Sequence, residues 1–240
     1  MNRRMILYLI CIILRIEAVC MIPGLLISVY QNEAASVLGL GVGILLCALC
    51  SLSSFFFRVE TKTIGAREGF LCVSLSWVAV SLFGALPFFV SGAIPNFVDC
   101  IFETVSGFTT TGASILTNVE AMPMGLLYWR SFTHWLGGMG VLVFLLAVVP
   151  MGRGKNSLLH VMRAESPGPQ VDKLVPRLQN SAKILYAIYI ALTLIQIVFL
   201  LAGGMPLFDS FCTAFGTAGT GGFGVRNDSM AGYSPYLQTV

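Results

Sequence analysis

Two short runs of this chain set hydroxyls beside glycines: Ser106-Gly107-Phe108-Thr109-Thr110-Thr111-Gly112-Ala113-Ser114 and Thr213-Ala214-Phe215-Gly216-Thr217-Ala218-Gly219-Thr220-Gly221. Aligned on Gly112 and Gly219, both read Ser/Thr, Gly/Ala, Phe, any, Thr, any, Gly. They imply no covalent chemistry, and the expectation is a protein that is not an enzyme. They suit ion coordination. A cation that sheds its water can be held by backbone carbonyls if a short extended loop points them inward. Such a loop needs small side chains, glycine backbone angles and a hydroxyl at its inner end. The candidate ion-binding residues are Thr110, Thr111, Gly112 and Ala113 in the first run. In the second they are Thr217, Ala218, Gly219 and Thr220.

The elements around these runs must be membrane spans. The chain is 56% hydrophobic and 10% charged, against about 25% charged in soluble domains. Several apolar runs approach the ~18 residues that cross a bilayer as a helix. Predicted spans are Met5 to Tyr30, kinked at Pro23-Gly24, then Ser36 to Phe57, Gly69 to Val90, Gly125 to Val149 and Lys183 to Ala202. The first is read as retained rather than as a signal peptide. It is long, contains Arg15 and Glu17, and another span follows at once. Phe97 to Phe108 and Leu207 to Phe215 are too short to cross. The former is about 18 Å as a helix against a core of about 30 Å. Each suits a re-entrant half-helix, with non-helical backbone tolerated only where it is buried or lines water. Span, half-helix and polar loop thus recur, and the repeat predicts a pseudo-symmetric pore.

Basic residues set the orientation. Arg3, Arg4, Arg58, Lys62, Arg67, Arg153, Lys155, Arg163, Lys173, Arg177 and Lys183 fall on one side, which places the N-terminus in the cytoplasm. Glu33, Asp99, Glu103, Glu120, Asp209 and Asp228 fall on the other, with both polar runs. That acidic side raises the local cation concentration. The expected organisation is a helix pair over residues 1–62, a first repeat over 63–152, a cytoplasmic loop over 153–182 and an incomplete second repeat over 183–240.

Several residues carry two readings. Glu103 could draw cations or brace the polar run through hydrogen bonds, since a buried carboxylate needs donors. Arg130 and His134, spaced i, i+4, fit loop bracing or a polar interfacial turn beside Trp129 and Trp135. Arg15 and Glu17 would face protein or water, as anchors or in a subunit contact. Gly39, Gly41 and Gly43 read as helix-packing contacts. Cys47-x-x-Cys50 lies inside a span without further ligands and reads as small hydrophobes. The string Gly219-x-Gly221-x-x-Gly224 lacks the strand and helix of a dinucleotide site.

Thr110-Thr111-Gly112 and Thr217-Ala218-Gly219 match the Thr-x-Gly core of the TVGYG loop of potassium channels. Three stretches extend the likeness: Phe102 to Ala113, Trp129-Arg130-Ser131-Phe132-Thr133-His134-Trp135-Leu136-Gly137-Gly138-Met139-Gly140, and Phe215 to Phe223. With them the chain resembles the Trk/Ktr/HKT superfamily of potassium transporters, nearest to the bacterial Trk-type membrane subunit. The resemblance implies an all-α integral membrane fold of span, pore loop and span repeats of potassium-channel type, after an extra N-terminal helix pair. It implies potassium as the transported ion, held at Thr110, Thr111, Gly112, Thr217, Ala218 and Gly219 and supported by Glu103, Arg130 and His134. It further implies no other cofactor and no nucleic acid, a homodimer in the bacterial inner membrane, and a cytoplasmic nucleotide-binding regulatory subunit. It implies that the formal glycosylation triplet at Asn227 is unused. Such subunits carry four loops around one pore, so the chain is expected to be an N-terminal portion. The competing expectation is a non-conducting scaffold or half-subunit that assembles with other chains.

Overall fold

The computed structural model describes residues 3–52, 66–138, 140 and 178–239. The described elements are all helical: α1 (Arg3–Tyr30), α2 (Ala34–Leu52), α3 (Ala66–Val90), α4 (Phe97–Phe108), α5 (Met124–Gly138), α6 (Leu178–Ala202), α7 (Leu207–Ala218) and the short α8 (Pro235–Thr239). Four of them, within α1, α2, α3 and α6, are long and apolar enough to cross a membrane, with mean hydropathy between 2.0 and 2.5. The end of the expected fourth span, most of the basic loop residues and residues 153–177 of the expected cytoplasmic loop lie outside the described residues. Residues 178–182 of that loop are already helical, so the helix expected from Lys183 is corrected to begin at Leu178.

The helices follow from their sequences. Uninterrupted apolar residues leave backbone polar groups no partner in lipid except their own helix. α1 runs on as helix through Pro23, and α3 runs on through Pro87. α2 packs on both α1 and α3. Gly39 and Gly43 make the second contact, because a Cβ on Gly39 would meet the Pro87 carbonyl and one on Gly43 the Pro87 ring. Among the described residues nothing lies within 4 Å of a Cβ on Gly41, so the expected packing is seen at Gly39 and Gly43 and not at Gly41.

The core of the first repeat gathers around Trp129 of α5, fully buried, whose indole N–H donates to the Gly84 carbonyl of α3 at 2.9 Å. Phe108 meets Trp129 edge-on at 6.2 Å and Trp77 at 6.4 Å. Gly84 leaves room beside α4, since a Cβ there would press on Thr104, Phe108 and the Glu17 carboxyl. Glu17 therefore faces protein at 3% exposure, and neither of its oxygens has a hydrogen-bond partner among the described residues. Arg15 turns the other way and donates to the Ser51 carbonyl of α2 at 3.3 Å. An unpartnered buried polar group costs free energy that an apolar side chain of similar size does not. Glu17→Met should raise the melting temperature of the detergent-solubilised protein by ~2–4 °C per kcal/mol recovered. A fall in melting temperature would show that the carboxyl is stabilising where it stands.

Candidate functional site

α4 begins on Asn96, whose side chain accepts the Val98 N–H at 3.0 Å, and it ends before the first polar run. Its end is a Schellman turn, in which a residue of left-handed backbone reverses the chain and two amides return to the last helical carbonyls. Thr110 N–H donates to the Gly107 carbonyl at 3.0 Å and Thr111 N–H to that of Ser106 at 2.9 Å. α7 ends in the same way, with Thr220 N–H on the Thr217 carbonyl at 2.9 Å and Gly221 N–H on that of Gly216 at 3.0 Å. The left-handed positions are Thr110 (φ 53) and Thr220 (φ 56), followed two residues on by Gly112 (φ 74) and Gly222 (φ 79). A β-branched residue in this region is strained, and both copies hold one there.

These matched angles change the register of the repeat. Thr220 lies 110 positions after Thr110, and Gly222 lies 110 after Gly112. The counterpart of Thr110-Thr111-Gly112-Ala113 is therefore Thr220-Gly221-Gly222-Phe223, and the alignment of Gly112 on Gly219 is corrected. Thr217 and Ala218 lie in the last turn of α7, three residues beyond the expected end at Phe215, and Gly219 is the helix cap at φ −74. Of the four candidates in the second run, Thr220 alone lies in the matching segment. Gly219 is small for another reason: a Cβ there would run into the backbone of His134 on α5. The string Thr220-Gly221-Gly222 is itself a Thr-x-Gly, and alignment on the starts of the half-helices, Phe97 and Leu207, would have selected it.

The two segments lie side by side. A Cβ on Gly112 would collide with the Gly221 carbonyl oxygen. No hydrogen bond among the described residues uses the carbonyls of Thr110, Thr111, Gly112, Thr220, Gly221 or Gly222. The Ala113 carbonyl differs, because it accepts the Ser106 hydroxyl. Backbone carbonyls at membrane depth are ordinarily paired. A row of unclaimed oxygens beside two helix C-termini, each the negative end of its helix dipole, favours a cation.

α5 braces both segments. Glu103 of α4 is 1% exposed and Arg130 is 2% exposed, and Arg130 Nε lies 2.6 Å from Glu103 Oε1. The same carboxylate accepts the Ser114 hydroxyl at 2.9 Å and the Ile115 N–H at 3.0 Å, just after the first segment. Arg130 Nη1 donates to the Gly224 carbonyl at 3.0 Å, and its guanidinium lies 3.6 Å over the Phe223 ring. His134 stacks on Phe223 at 3.9 Å and accepts its N–H at 3.4 Å, and a Cβ on Gly221 would strike the imidazole. Glu103 and Arg130 thus between them contact both loops and His134 the second, and Arg130 and His134 are buried. Outside the segments, Asn227 accepts the Val119 N–H at 2.7 Å and donates to Asn118 at 3.0 Å, which ties the two outer loops together.

Residues 40–240 match the family model described as TrkH: Cation transport protein. The Trk system potassium uptake protein TrkH of Halomonas elongata is 38% identical over 239 residues, which is 97% of this chain and 48% of that protein. The Trk system potassium uptake protein TrkG of Escherichia coli is 37% identical over 174 residues, 71% of this chain and 35% of the relative. The crystal structure of the potassium transporter TrkH from Vibrio parahaemolyticus superposes with a TM-score of 0.82 at 29% identity, covering all of this chain and 48% of that one. The chain spans about half the length of the curated relatives it matches.

Proposed function

Since the chain belongs to the TrkH family of cation transport proteins, we propose that it conducts potassium across a membrane between backbone segments that include Thr110–Ala113 and Thr220–Phe223. The observation that carries this reading is the pair of matched turns, whose Thr110, Thr111, Gly112, Thr220, Gly221 and Gly222 carbonyls accept no hydrogen bond among the described residues. In this reading those oxygens replace the hydration shell of the ion, and the membrane potential supplies about 2.3 kcal/mol per charge per 100 mV.

A second feature supports a ring with further members. Cys212 and Phe215 on α7 and its cap Gly219 are buried, and Phe215 packs on Tyr128, Phe132 and Trp135 of α5 at 5.2–6.1 Å between ring centroids. The residues 110 positions earlier on α4, Phe102, Val105 and Thr109, are exposed. α4 therefore offers a seat of the kind α5 fills on α7, and other pore segments complete the ring. The four regions of the chain, from helix pair to second repeat, are assigned as the sequence divides them, except that the second repeat starts with α6 at Leu178. The protein lies in the bacterial cytoplasmic membrane with its N-terminus inside, and it acts as a homodimer under a cytoplasmic nucleotide-binding regulatory protein.

The test is rubidium or potassium uptake by cells lacking their own uptake systems that express the complete protein. Growth at low potassium is the expected result. Protein present in the membrane without uptake, with and without the regulatory protein, would overturn the reading in favour of a non-conducting scaffold.

A further inference from the structure

The helix pair that precedes the repeats reaches the candidate site through one carboxylate. α1 closes on a left-handed Asn32 (φ 58), with the Glu33 N–H returning to the Ser28 carbonyl at 2.9 Å. This turn fixes the backbone of Glu33. The side chain then leaves the hairpin, and Glu33 Oε1 accepts the Met124 N–H at 2.7 Å while Oε2 accepts the Gly125 N–H at 3.2 Å. Those are the first two amides of α5, which find no carbonyl within their own helix and form the positive end of its dipole. The backbones are pressed together at the same level. A Cβ on Gly125 would collide with the Ser28 hydroxyl, and one on Gly24 would lie 2.9 Å from the Gly125 carbonyl.

Among the described residues no carboxylate caps the counterpart helix start in the second repeat, and one of the two positions there needs none. The residue 110 positions after Gly125 is Pro235, the first of α8, and proline has no N–H to satisfy. The clamp is thus specific to α5, the helix whose Arg130 and His134 hold both carbonyl segments. Arg130 lies about 9 Å along the helix from Met124, and a short rigid helix transmits a shift of its outer end over that distance.

We propose that Glu33 is a positioning residue for ion selection: by fixing the height of α5 against the hairpin, it sets the spacing between Thr110–Ala113 and Thr220–Phe223. The proposal rests on the reading that these segments hold potassium. The experiment is uptake kinetics of the complete protein carrying Glu33→Ala or Glu33→Gln, corrected for the amount in the membrane. Glu33→Ala should raise the KM for potassium by about tenfold, the scale of a lost charge-assisted hydrogen-bond pair, and should reduce discrimination against sodium. Glu33→Gln keeps one acceptor oxygen and should fall between. A contact that serves only stability would lower protein amount or melting temperature and leave KM and discrimination unchanged, and that result overturns the proposal. If the alanine variant is not inserted, the glutamine variant, of nearly equal volume, decides by the same criterion. Failure of the unmodified protein to take up potassium would instead remove the reading of the site beneath it.

Discussion

Gly112→Ala should abolish potassium uptake by the complete protein while leaving it in the membrane. Two costs meet at this position. Its φ of 74 lies in the region that L-residues occupy reluctantly, at about 1–2 kcal/mol. Its missing Cβ is also the space into which the Gly221 carbonyl of the other segment fits. An added methyl group cannot be relieved by a side-chain rotation, because the atom it meets is backbone. One carbonyl segment must move, and with it the oxygens that would hold the ion. The control is Gly92, which has the same φ of 74 in the turn after α3 but no described residue within 4 Å of its Cβ position. Gly92→Ala carries the backbone strain without the collision and should keep uptake. Gly222 (φ 79), also with open space around it, should be intermediate, since strain there lies within a segment. A loss of more than ~10-fold for Gly112→Ala corresponds to only about 1.4 kcal/mol at the rate-limiting step, well within these costs. Normal uptake by Gly112→Ala, or an equal loss with Gly92→Ala, would refute the assignment of the first segment.

The boundaries of the first half-helix could be read to the residue, and those of the second could not. Around α4 the local signals agree: Pro95 and Asn96 stop the chain before Phe97, and three consecutive threonines follow Phe108. At the end of α7 they conflict. Gly216 and Gly219 look like helix breakers, yet both take part in close packing, the first against Phe223 and the second against His134. Composition cannot distinguish a glycine needed for its backbone angle from one needed for its lack of bulk. The left-handed positions fell on threonines, residues with little preference for such a backbone, so the turn that defines the site left no glycine signal at its pivot. The bracing groups were visible one by one. Glu103 was recognisable as a carboxylate in need of donors and Arg130 as a candidate brace, but their partnership joins two helices across 27 positions. Glu33 was legible only as one acid among several on the outer side. Its contact with α5 depends on the turn at Asn32 and on the close approach at Gly24 and Gly125, neither of which periodicity reports.

The Glu103–Arg130 pair should show strong coupling when its members are changed singly and together. Each charge is buried, and a buried charge is tolerable only while it is paired and hydrogen-bonded. Removing one partner of such a pair costs about 3–5 kcal/mol, chiefly because the other is left without a counter-charge, whereas replacing both by groups of similar volume is often far milder. Glu103→Gln leaves Arg130 with the Gly224 carbonyl and the Phe223 ring, but without its carboxylate. Arg130→Met leaves Glu103 with the Ser114 hydroxyl and the Ile115 N–H, and it also removes the contacts of Arg130 with Phe223 of the second segment and with Gly224 just after it. Both single variants should unfold at lower temperature than the unmodified protein, and the double variant should recover much of that loss. Uptake should behave differently. The double variant is stable without an arginine to hold Phe223, so its transport should stay well below that of the unmodified protein even where its stability is restored. Separate measurement of melting temperature and uptake across the four proteins tests this. Stability losses that simply add would show that the two charges do not depend on each other. Uptake that recovers fully with stability would show that Arg130 serves the fold and not the spacing of the two segments.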